Sequence, residues 1–233
     1  FRQILFLAMP FILLLFILRF PIIDILLKTG KFDALSAKLT AATLGIFAFG
    51  IFSQVFIPYL IRVFFALKDT TMPTIVGILS VAVNIVLVVL FLKTFSFPGA
   101  IQTFFSRFLG LDGIDDIRIL ALPLSLSLSS FFSFFFLSLA LARKAQRLFG
   151  REIMESAKKV FAASIILVVS TVAFIQISDN LFDRTSFLGM VGETLGAAFA
   201  GGGMYLLSLI LLGSCEARGF VSLLKNFFKK AKP

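Results

Sequence analysis

Residues 74–95 read TIVGILSVAVNIVLVVLFLKTF. This stretch is apolar over the roughly 20 residues that an α-helix needs to cross a hydrocarbon core of about 30 Å. Five further apolar stretches of spanning length lie near 4–27, 40–61, 119–142, 158–177 and 190–213. Together they predict an all-α integral membrane protein with about six transmembrane helices. Composition agrees: 59% of the 233 residues are apolar and 15% are charged, where soluble domains run near 45–50% and about 25%. The absence of Trp and the presence of only 2 Tyr leave any interfacial aromatic belt thin.

The residue inventory also excludes chemistry. With no His and a single cysteine, Cys215, the chain has no internal disulfide, no His-based triad and no His/Cys metal site. No cofactor is implied. Phe1 is not a Met, so the chain is read as a piece of a longer one.

Within the spans, Pro10 and Pro21 predict a kink or break in the first. No small-residue cleavage site follows it, so it is not a signal peptide. In the fourth span Ser125, Ser129 and Ser133 recur every four residues and share a face. In the sixth, Gly192, Gly196 and Ala200 form a small-xxx-small series that admits a close neighbour.

The connections set orientation. With six spans, the N-terminus, 62–73, 143–159 and the tail share one side, which holds 14 Lys and Arg against 7 on the other. Basic loops stay inside, so both termini are expected in the cytoplasm. The net charge of +10 is then accounted for by span flanks and implies no nucleic-acid partner. The tail places Phe220, Leu224, Phe227 and Phe228 opposite Lys225 and Lys229, the pattern of a helix lying on anionic membrane lipids. The longest loop, 96–118, combines a Phe-rich 101–109 stretch with Asp112, Asp115 and Asp116.

At the exit of the second span stand Arg62, Phe64, Phe65, Ala66, Asp69, Thr70 and Pro73. This series resembles the MurJ/MviN family of lipid II flippases, within the MATE-like (MOP) exporter superfamily. Pro10, the turn Gly30-Lys31-Phe32-Asp33, Asn84 and the Ser-rich fourth span ending in Arg143 and Lys144 agree in order and spacing. The 96–118 loop is longer than the family pattern and suggests an added interfacial element.

The resemblance implies the C-terminal half of a MATE-like flippase fold, the last six of fourteen spans, in the bacterial cytoplasmic membrane. It implies lipid II as the lipid-linked glycan partner, with a missing N-terminal transporter half carrying most of the head-group cations. The expected organisation is a four-helix part of the lobe over 1–145, two additional spans over 146–215 and a basic cytoplasmic tail over 216–233.

The candidate gate or substrate-path residues are Arg19, Arg62, Asp69, Pro73 and Asn84. Arg19 lies inside a span, where it either lines a cavity or snorkels to the interface; Asp24 becomes its partner if Pro21 bends the chain. Asn84, Gln54 and Gln176 suit hydrogen bonds between helices. Arg62 and Asp69 can pair at one membrane face, and Thr70 and Thr71 are candidate caps for the third span. Three functions compete: a lipid-precursor flippase, another polysaccharide-lipid flippase or antiporter of the superfamily, and a membrane-embedded lipid enzyme. The antiporter wants an acidic residue deep in a span. The enzyme wants clustered carboxylate or His groups, and Asp112, Asp115 and Asp116 sit alone in a loop.

Overall fold

The computed structural model describes residues 2–27, 33–97, 99–111, 114, 116–144, 151–178, 187–214, 216, 217 and 219. Helices occupy Arg2–Ile17 (α1), Arg19–Leu27 (α2), Ala34–Ala66 (α3), Thr71–Ser96 (α4), Ala100–Leu109 (α5), Ala121–Lys144 (α6), Arg151–Ser178 (α7) and Phe187–Leu211 (α8), with a 3-10 turn at Arg118–Leu120 leading into α6. Five of these are long and apolar enough to cross a membrane, and the bent pair α1–α2 brings the number to six if the two are counted as one span. This is an all-α membrane protein. Helices cover all six predicted stretches, the first as a bent pair, and α5 is an additional helix inside the Phe-rich loop. The turn residues Gly30, Lys31 and Phe32, the acidic residues Asp112 and Asp115, and the amphipathic stretch beyond 219 lie outside the described residues.

Two prolines act differently on the first span. Pro21 breaks it. A proline ring clashes with the carbonyl four residues back and offers no N–H to it, here that of Ile17, and the helix stops there and restarts at Arg19 with a 68° bend. Pro10 leaves α1 continuous but deprives the Phe6 carbonyl of its donor. Tyr205 on α8 supplies the replacement, its hydroxyl donating to Phe6 O at 2.8 Å in a fully buried setting. Losing one partner of a buried hydrogen bond costs about 1–3 kcal/mol, although pairs within membranes average nearer 0.6. Tyr205→Phe should therefore lower the detergent unfolding midpoint. The same change in a Pro10→Ala background should cost less, because an alanine there restores the backbone donor. Equal costs in both backgrounds would disconnect the two residues.

The chain divides into two compact units, residues 1–14 with 149–233, and residues 15–148. In the first, α7 and α8 pack closely because glycines on α8 face bulky groups on α7. A Cβ on Gly196 would stand 2.7 Å from the Phe174 ring, and one on Gly201 would stand 2.0 Å from Thr171 Oγ1. Beyond the spans of this unit, Glu216 collects a cluster: Arg2 Nε donates to Oε1 at 2.5 Å, Ser156 Oγ to Oε1 at 3.1 Å and Ser214 Oγ to Oε2 at 2.6 Å. Burial works to raise this carboxyl, and the donors from Ser214, Arg2 and Ser156 outweigh it and lower it from 4.5 to about 2.

A carboxylate with a depressed folded-state pKa stabilises above its unfolded value and loses that contribution as pH falls through the folded one. The stability gap between the wild type and Glu216→Gln should thus be constant above about pH 4.5 and shrink toward pH 2. Thermal unfolding in detergent across that range measures it.

In the second unit α6 is central, packed against both α3 and α4. The face of α3 turned inward is small: Ala37, Ala41, Ala42, Gly45, Ala48, Gly50 and Ser53 are buried. Small residues let helix backbones approach, and Ser127 of α6 sits in this contact. Ser125, Ser127, Ser129 and Ser133 are all buried. Ser127 Oγ donates to Ile46 O at 3.1 Å, directly over Gly50, where a Cβ would lie 2.5 Å from that oxygen. Ser127 thus packs on α3, while Ser129 meets α4.

Candidate functional site

The turn between α3 and α4 is built around one carboxylate. α3 ends at Ala66, and Lys68 turns the chain with φ of 57°, the left-handed value that follows many helix ends. Asp69 Oδ1 then accepts from the backbone N–H groups of Thr71 (3.1 Å) and Met72 (3.2 Å). The next residue, buried Pro73, has no N–H to satisfy. Thr74 N closes the first helical bond onto Thr70 O at 3.4 Å. The open end of α4 is thereby satisfied by one side chain and one proline. The negative charge also sits at the positive end of the α4 dipole.

The other oxygen of the same group, Oδ2, takes an ion pair from Lys144 at the end of α6. That ammonium is the leading reason the Asp69 carboxyl lies below the usual carboxylate range, and the Met72 and Thr71 donors add to it. Asp69 thus ties the exit of α3, the entry of α4 and the exit of α6 together, within one unit of the fold.

Two expectations for this turn change. The partner of Asp69 is Lys144, while Arg62, four residues before the end of α3, is exposed. Thr70 occupies the cap position of α4 but makes no side-chain capping bond. The cap is Asp69, whose short side chain reaches the first-turn donors from one residue earlier.

Asn84 lies midway along α4, and its Nδ2 donates to Ser129 Oγ of α6 at 3.3 Å. One turn earlier Ser80 Oγ donates to Ser129 O at 3.1 Å. These bonds form a polar seam between α4 and α6, on the same helix pair that Asp69 and Lys144 join at one end.

Arg19 is held inside the protein. Its guanidinium lies over the Phe16 ring at 4.4 Å and the Phe20 ring at 4.8 Å. Nη1 donates to Phe16 O at 3.0 Å and Nη2 to Leu109 O at 3.4 Å. Its stem crosses Gly45 of α3, where a Cβ would meet Arg19 Cδ at 2.9 Å. The two carbonyls it serves are at helix ends, where acceptors lack intrahelical partners and cations are favoured. These contacts hold Arg19 against the break in the first span.

Sequence reasoning misses the roles of Lys144, Gly45, Gly50 and Tyr205. The glycines carry a readable signal, since Ala41, Gly45 and Ala48 form a small-residue face on α3. The pairings of Lys144 with Asp69 and of Tyr205 with Phe6 join positions far apart in the chain and carry no local signal.

Comparison with known proteins adds to this geometry. Residues 1–192 match the family described as lipid II flippase MurJ. A protein of Bdellovibrio bacteriovorus described as a probable lipid II flippase MurJ is 33% identical over 95 residues, covering 41% of this chain and 18% of that relative. The chain therefore spans well under two thirds of the relative's length. No solved structure matches it. The apolar helices and the family match make it a multi-pass protein of the bacterial inner membrane. With that match running through every span up to the start of α8, the chain belongs to the MurJ lipid II flippase family.

Proposed function

We propose that this chain forms part of a flippase that carries lipid II, the lipid-linked peptidoglycan precursor, across the cytoplasmic membrane by alternating access. The match to the lipid II flippase family over residues 1–192 carries this reading. Alternating access in such transporters works by one bundle rocking against another around a central site. The α3, α4 and α6 bundle, with its polar seam and small-residue contacts, is suited to move as a body. A second bundle, contributed outside these residues, supplies the other wall of the path and the main cations for the pyrophosphate.

In this reading the Asp69 turn is a structural joint of the inner gate, with Pro73 fixing the backbone and Arg62 facing the lipid head groups. Asn84 holds α4 to α6 and Arg19 holds the break of the first span. Neither needs to touch substrate. The division into a lobe over 1–145, two further spans over 146–215 and a tail on the inner leaflet belongs to the same proposal, as does a cytoplasmic location for both ends. No catalytic residue is required, because translocation makes and breaks no covalent bond.

The test is replacement. In cells depleted of their own lipid II flippase, the full-length protein should restore growth and the appearance of lipid II at the outer face, read with a reagent that does not cross the membrane. Protein present in the membrane without either result would reject lipid II as cargo. Single cysteines probe orientation in the same cells: positions in 143–159 should be shielded from external reagents, and water-facing positions of the 96–117 loop, such as 103 and 107, labelled. Reversed labelling would invert the topology.

A further inference from the structure

Helix α5 has three distinct sides. At 100° per residue, Phe105 and Leu109 fall on one, and these pack inward: Phe105 meets Phe95 edge-on at 5.8 Å, and Leu109 joins a buried cluster with Leu111, Ile117 and Leu120. A second side carries Ile101, Phe104 and Phe108, all more than half exposed, with the last two rings stacked at 5° and 6.1 Å. A third carries Thr103 and Arg107, exposed and polar.

Two features fix where this helix sits. Three residues separate the end of α4 at Ser96 from its start at Ala100, a reach of about 10 Å from the end of a membrane span at full extension. Its far end is clamped. Leu109 O accepts from Arg19, the Phe108 ring meets Phe16 at 6.1 Å, and Gly110 turns with φ of 73° against the Phe20 ring. The helix is thus pinned at both ends, and the exposed apolar side has a set direction.

We propose that α5 is seated in the membrane–water interface, with Ile101, Phe104 and Phe108 among phospholipid acyl chains and Arg107 at the level of the phosphates. A short helix with one apolar and one polar exposed side is the form that lies in that plane. Ile85, Val86, Val89 and Leu90 of the neighbouring span α4 are also about half or more exposed. The buried side and the Arg19 contact then connect a lipid-seated helix to the break in the first span.

The test uses the full-length protein in a cysteine-free background, reconstituted in phosphatidylethanolamine–phosphatidylglycerol vesicles. A nitroxide is placed singly at 101, 104 or 108, and at 103 or 107. Because these side chains are all exposed, the labels do not disturb the packed face. Collision rates with oxygen, which concentrates in lipid, and with a nickel chelate, which stays in water, are measured for each. The expected result is several-fold preference for oxygen at 101, 104 and 108 and for nickel at 103 and 107. Nickel preference at 104 and 108 would place that side in water and overturn the proposal. Low collision with both reagents there would place protein over it and overturn it equally.

Discussion

Replacing Gly50 with leucine should dismantle the packing of α6 on α3. A Cβ at that position lies 2.5 Å from Ser127 Oγ, 3.1 Å from Ser127 Cβ and 3.3 Å from Ser127 Cα. The hydroxyl can rotate away, losing its bond to Ile46 O, but the backbone of α6 cannot yield without moving the helix. Overpacking of this kind costs about 1–3 kcal/mol for modest insertions and more for a full side chain. Gly50→Ala isolates the first part of the cost. In a Ser127→Gly background it should recover much of what it loses in the wild type, because the side-chain atoms it meets are gone. Unfolding midpoints in detergent for the four combinations measure the coupling. A midpoint for Gly50→Leu within a degree or two of wild type would mean that α3 and α6 do not meet there.

The second large effect is expected on transport. Asp69→Ala removes the cap of α4 together with an ion pair that solvent screens, since the Lys144 side chain is nearly half exposed. If the bundle moves as one body, loosening this joint lets its three helix ends shift against one another, and the inner gate no longer closes as a unit. Transport by the full-length protein should fall accordingly, with abundance little changed.

The series that assigns the cause is Asp69→Asn, which keeps a capping oxygen and loses the charge, and Lys144→Ala, which keeps the cap and loses the pair. Both should retain more function than Asp69→Ala. Lys68→Ala, beside the same turn, should retain nearly all of it. Because the Asp69 carboxyl is depressed below its usual range, its contribution is fully present at neutral pH and fades only as pH falls through that lowered value. The deficit of Asp69→Ala should therefore not vary between about pH 5.5 and 8. Near-normal complementation by Asp69→Ala would reduce the turn to a solvated connection.

How much is legible in the sequence follows the range of the physics involved. Spans are set by a solvent thickness, so a run such as 74–95 announces itself without any tertiary knowledge. Proline effects are local too, and the sequence alone points to a kink or break from Pro10 and Pro21, of which only the second interrupts the helix. The position of that break at Ile17 and Leu18, before the proline, follows from which carbonyl the ring disturbs. The helix at 100–109 is harder to read. Its length is short, and its three-sided character depends on a core formed with Phe95 and Ile117 from other elements.

The candidate site divides the same way. Asp69 and Pro73 stand out because helix starts have local grammar. The identity of the ion partner does not, since Arg62 and Lys144 are equally charged and only packing brings Lys144 into reach. Arg19, read from sequence, is a residue in search of water or an anion. The two rings, two carbonyls and the glycine notch that accommodate it come from four separate elements, which no local pattern reveals.

The bond between Tyr205 and the Phe6 carbonyl has an evolutionary consequence. A proline at position 10 is tolerable only while something else answers the acceptor it strands, and that answer comes from a helix near the other end of the chain. The two sites should therefore change together across the family. Relatives lacking the proline at 10 should be free to drift at 205, toward phenylalanine and leucine. Lineages that keep it should retain a hydroxyl at 205 or place one at a neighbouring position that reaches the same carbonyl. Selection at position 205 is then set by the proline at 10, through a backbone atom that no substitution can remove.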